Sequence, residues 1–67
     1  MDTLGKRIAY HRKTLGLTQE QLAEKLGVSR QAVSKWETGT AEPSTSNLLA
    51  LAKAFGIPPE ELLRDLQ

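Results

Sequence analysis

Apolar residues recur at three- and four-residue spacing in five short stretches, separated by glycines, prolines and small polar residues, and no strand-like alternation persists. At about 100° per residue, Leu4, Ile8, His11 and Leu15 share one stripe, which predicts a helix from about Thr3 to Leu15 with Gly16 as its left-handed stop. Thr18-Gln19-Glu20-Gln21 fits a capping box, so a second helix starts after Thr18, buries Leu22, Ala23 and Leu26, and ends at Gly27. Ser29 suits the N-cap of a third helix, Arg30 to Glu37, with Val33 and Trp36 inward and Gly39 beyond its end. A fourth helix follows Pro43-Ser44, gathers Leu48, Leu51, Ala52 and Phe55 on one side, and stops at Gly56. Pro59 favours the first turn of a fifth, with Glu60 and Glu61 at the positive end of its dipole and Leu62, Leu63 and Leu66 as its apolar residues. The expected fold is all-α, a compact five-helix bundle forming one domain over residues 1–67.

Composition narrows the function classes. Leu, Ile, Val and Phe make up 16 of 67 residues, enough for a folded core. A chain this short buries only about 60% of the surface its unfolded form exposes, so modest stability is expected. There is no cysteine, hence no disulfide framework and no thiolate metal site. No apolar run approaches the ~18 residues of a membrane span, and a cytoplasmic protein is expected. The serines and the single histidine, His11, form no nucleophile-base-orienter set, and no glycine-rich phosphate loop is present. Neither enzymatic activity, a metal, nor a cofactor is expected. Net charge is only +1, but residues 1–36 carry +4 and residues 37–67 carry −3. The basic half suits an anionic polymer, although such asymmetry is also common on solvated surfaces.

The segment from Gln19 to Thr38 is the most informative. Two short helices are joined by a tight turn that starts at Gly27, with small Ala23 four residues earlier for a close crossing. If Val33 and Trp36 anchor the third helix from below, Arg30, Gln31, Ser34 and Lys35 are left on its outward face. These side chains can read base edges, Arg or Lys at guanine and Gln at adenine. On spacing alone, a helical hairpin with an ordinary polar face fits equally well.

The stretch Arg7-Ile8…Arg12, Gly16-Leu17-Thr18-Gln19, Leu22-Ala23…Leu26-Gly27-Val28-Ser29, Val33-Ser34…Trp36-Glu37…Gly39, Pro43, Leu48…Leu51-Ala52…Phe55-Gly56-Ile57 resembles the lambda-repressor-like (Cro-type) helix-turn-helix domains. The resemblance spans residues 4–63, with the motif over about 19–38 and the recognition helix over about 30–37. It implies that the third helix enters the DNA major groove while the second crosses the backbone. Arg30, Gln31 and Lys35 then occupy base-reading positions, with Ser34 as a fourth. Gln19 matches a residue whose side chain and amide grip a phosphate, as helix N-termini favour anions, and Ser29 and Thr38 are further phosphate candidates. The resemblance also implies a partly buried ion pair between Arg12 and Glu37. Three departures stand out. The loop Thr40-Ala41-Glu42-Pro43 lacks the cations common in relatives, leaving backbone amides or Ser44 to meet a phosphate there; His11 replaces a common leucine; and Pro58 replaces the usual cap of the fifth helix.

The expected function is a sequence-specific, double-stranded DNA-binding transcriptional regulator, and a repressor ahead of an activator, since occupancy alone blocks polymerase. The alternatives are a protein-interaction or antitoxin-type helix-turn-helix module, or the DNA-binding head of a longer regulator. A single recognition helix reads too few bases to select one genomic site, so a homodimer on a palindromic operator is expected. Leu49, Leu63 and Leu66, off the inner stripes, are candidates for a small pairing patch near the C-terminus. The sequence names no small-molecule effector.

Overall fold

The computed structural model describes residues 3–64, and every regular element among them is an α-helix. In chain order these are α1 (Leu4–Thr14), α2 (Gln19–Leu26), α3 (Arg30–Thr38), α4 (Thr45–Phe55) and α5 (Pro59–Leu63). The first four open on a side-chain oxygen that accepts an otherwise free backbone N–H. Thr3 accepts from Lys6, Thr18 from Gln21, Ser29 from Ala32 and Ser44 from Asn47. At Thr18 the box closes, since Gln21 Oε1 accepts the Thr18 N–H at 2.9 Å. Pro58 precedes α5 without a side-chain cap bond; toward the other end of α5, Arg7 Nη1 reaches across from α1 and donates to the Glu61 carbonyl at 2.8 Å.

The turn between α2 and α3 depends on backbone handedness. Gly27 sits at φ 71° and ψ 30°, where a side chain would be strained, and the Val28 N–H donates back to the Ala23 carbonyl at 3.0 Å. The chain thereby turns from α2 into α3 within three residues, and Ser29 caps α3 at once.

Each helix contributes one side chain with no exposed surface: Ile8, Leu22, Val33, Leu51 and Leu62. Ala23, Trp36, Ala52 and Phe55 complete the core, and no polar side chain among the described residues is fully buried. α3 packs chiefly on α1 and α2, while α4 joins α2 to α5 and α5 closes back onto α1. Trp36 is therefore a core residue, as its spacing from Val33 predicts.

Several expectations are corrected here. Leu15 is half exposed, because it is the C-cap of α1 and lies beyond the last residue that faces the core; Leu17 packs there instead. Leu26 and Leu48 are only half-buried at the margin of the core. Thr3 and Leu15 are caps rather than helical residues, and α3 runs one residue past Glu37. Leu66 lies outside the described residues. His11 fits in place of a leucine by stacking on Phe55, with ring centroids 5.4 Å apart and planes 26° from parallel. Tyr10, largely exposed, meets the edge of that histidine.

Candidate nucleic-acid interface

The buried pair Val33 and Trp36 fixes the rotation of α3 about its axis, and the opposite face is set by default. Arg30, Gln31 and Lys35 are exposed there, Ser34 is half-buried between them, and the four line one shallow depression. Arg30 also borders a second depression, shared with Gln19 and Thr18 at the start of α2 and with Arg12 beneath. The two surfaces expected to meet bases and backbone are thus continuous through Arg30. Glu20 and Glu24 flank the second depression and oppose an anion on that side.

Ser29 and Thr38 stand at the two ends of α3, both exposed. Ser29 is engaged as the cap, and Thr38 Oγ1 lies 3.3 Å from the Lys35 carbonyl and 3.0 Å from Thr40 Oγ1. The loop after α3 is tied to the same carbonyl: the Thr40 and Ala41 N–H groups donate to Lys35 O at 2.9 and 3.3 Å. Those two amides hold the loop rather than standing open to a phosphate, while exposed Ser44 caps α4 as an acceptor and keeps its own O–H to donate.

Below this face lies a polar network. Arg12 Nε donates to Glu37 Oε2 at 2.6 Å and Nη2 to Oε1 at 3.1 Å, a two-point ion pair. The paired side chains are only 11% and 8% exposed. Arg12 Nη1 donates to the Leu17 carbonyl at 2.7 Å, so one guanidinium joins α1, the α1–α2 loop and α3. The hydrogen bonding of Arg12 to the Glu37 carboxylate, and secondarily the charge of that carboxylate, raise the Arg12 pKa above its ordinary value against the opposing effect of burial. A raised folded value means that this stabilisation is fully present below the ordinary arginine pKa and is lost only at still higher pH.

One member of the network was invisible to sequence reasoning. Gln19 Nε2 donates to Glu37 Oε1 at 3.0 Å, so the residue expected to face a phosphate is also bonded to the structural carboxylate. The two are 18 residues apart on different helices, and no spacing rule connects them. Gly5, not singled out by the sequence, is buried where α1 crosses the end of α3. Among the described residues no cluster of His, Cys, Asp or Glu is arranged to hold a metal ion. No helix there is long and apolar enough to cross a membrane.

A helix-turn-helix family model matches residues 8–62. The chain is 46% identical over 61 residues to the HTH-type transcriptional regulator DicA of Escherichia coli (strain K12), a match covering 91% of this chain and 45% of DicA. It is 53% identical over 47 residues to the HTH-type transcriptional activator BcrR of Enterococcus faecalis, covering 70% of this chain and 23% of BcrR. The chain therefore spans less than half the length of these relatives. The crystal structure of the P22 c2 repressor, from a Salmonella phage, in complex with a synthetic operator superposes with a TM-score of 0.90. The two are 42% identical, over 96% of this chain and 97% of that one. With its five-helix order and its glycine-turned α2–α3 pair, the chain belongs to the lambda-repressor-like helix-turn-helix family.

Proposed function

We propose that the chain binds double-stranded DNA sequence-specifically and regulates transcription, with α3 in the major groove. The observation that carries this reading is the solvent face of α3. Arg30, Gln31 and Lys35 stand exposed on a helix whose other side is locked by Val33 and Trp36. Rigid placement matters, because a bidentate contact to a base edge tolerates little angular freedom. The operator-bound P22 c2 repressor supports the same use of the fold. Gln19, at the start of α2, positions the backbone, with Ser29 and Thr38 as further phosphate contacts. The chain acts by binding, in the cytoplasm on nucleoid DNA, and needs no cofactor.

Repression stands ahead of activation, since occupancy of an operator is sufficient for it, while relatives of this fold are named for both roles. The competing reading, a protein-binding module, calls for aromatic or aliphatic anchors on the exposed face of α3; the residues there are Arg30, Gln31, Ser34 and Lys35.

Selection of bound duplexes from a random library at stated salt, followed by substitution, tests the assignment. Arg30→Ala or Lys35→Ala should cost about 1–3 kcal/mol at one operator position and relax preference there, whereas Gln19→Ala should weaken all sequences alike. Unchanged relative preferences after substitution in α3 would remove it as the reader.

Two copies reading half-sites ~34 Å apart supply the specificity that one α3 lacks. Leu49 on α4 and Leu63 on α5 remain 53% and 48% exposed, apolar side chains open to weak pairing. Binding to a palindromic site should rise steeply with protein concentration, and Leu63→Glu should flatten the curve without lowering the melting temperature. Sedimentation showing one chain per minimal operator would contradict the dimer.

A further inference from the structure

We propose that Glu37 is a positioning residue for the DNA backbone contact: its carboxylate, neutralised by Arg12, orients the Gln19 amide so that the second Nε2 proton faces a phosphate. This role presupposes the DNA-binding function proposed above. A glutamine amide has two chemically opposite ends, and only the NH2 end can donate to a phosphate oxygen. Left free, the side chain presents either end. A carboxylate only accepts, so Glu37 Oε1, 3.0 Å from Gln19 Nε2, selects the NH2 end. The amide is planar, and engaging one N–H fixes the direction of the other. Gln19 is half-buried and lines the surface depression that Arg30 shares, which is where that direction has an outlet.

A bare carboxylate beside a phosphate would be self-defeating. Arg12 meets it at both oxygens, at 2.6 and 3.1 Å, so the pair carries no net charge toward the DNA while Oε1 keeps its capacity to accept from Gln19. The ion pair thus has a task beyond holding α1 to α3.

The test uses the duplex selected by this chain, remade with one uncharged methylphosphonate at each phosphate in turn. The wild-type chain should lose about tenfold in affinity at one phosphate per half-site, the scale of a hydrogen bond to a charged group. Gln19→Ala should bind more weakly and show a clearly smaller penalty at that phosphate, the remainder coming from the backbone amides at the start of α2. Replacing both partners of the pair, Arg12→Met with Glu37→Leu, leaves no unpaired charge and preserves folding, to be checked by thermal unfolding. That variant should behave as Gln19→Ala does. Arg12→Lys, which keeps the carboxylate as the acceptor for Gln19, should retain the wild-type penalty at that phosphate. Folded Glu37 variants that keep the wild-type penalty overturn the positioning role. A wild-type chain that selects no duplex overturns the DNA-binding function along with it, whereas one that selects a duplex and shows no penalty at any phosphate overturns the Gln19 contact alone.

Discussion

Glu37→Ala should destabilise the fold by about 3–5 kcal/mol, the cost of leaving one partner of a buried ion pair behind. Arg12 is 11% exposed at its side chain, so its guanidinium has little water to turn to when the carboxylate is gone. Two of its three hydrogen bonds would be lost, leaving only the bond to Leu17 O. Gln19 Nε2 would lose its acceptor at the same stroke. Against a total stability of about 5–15 kcal/mol, and toward the low end for a chain this short, such a loss should leave much of the protein unfolded near body temperature. Chemical denaturation at neutral pH measures it directly. A loss below about 1 kcal/mol would class the pair with exposed ion pairs, contrary to its burial. A double-mutant cycle with Arg12→Ala should return a coupling of the same sign and comparable size.

Gly5→Ala should cost about 3 kcal/mol, the upper end of overpacking, although intrinsic helix propensity favours alanine over glycine by about 0.5–1 kcal/mol. The sign follows from where α1 crosses α3. A Cβ on Gly5 would lie 2.6 Å from the Glu37 carbonyl oxygen and closer still to that of Trp36. Neither oxygen can swing away as a side chain would, because both belong to the last turn of α3, where Trp36 O also accepts the Gly39 N–H. α1 would have to lift from α3, loosening Ile8 against Val33 and Trp36 and stretching the Arg12–Glu37 pair that bridges the same two helices. Gly5→Ala and Glu37→Ala should therefore be non-additive. Thermal unfolding decides the sign: a Gly5→Ala chain that melts above wild type would mean that the helices can separate at little cost.

The sequence by itself determined what neighbours along the chain can decide. The capping box at Thr18 and Gln21 closes over three residues. The turn at Gly27 needs only one residue tolerant of positive φ, and the inward face of α3 follows from Val33 and Trp36 three positions apart. In each case the physics acts within a turn of helix, so the spacing of residue types is sufficient. The Arg12–Glu37 pairing was implied only through the family resemblance, since nothing in the spacing of two charges 25 residues apart brings them together. Tertiary structure alone decided the rest. It gave Gly5 the carbonyls of α3 as neighbours, seated His11 on Phe55, left Leu15 half exposed while Leu17 packed against the core, and bonded Gln19 to Glu37. Each of these depends on where a second helix passes, and that placement is the joint outcome of all the buried side chains rather than a property of any local stretch.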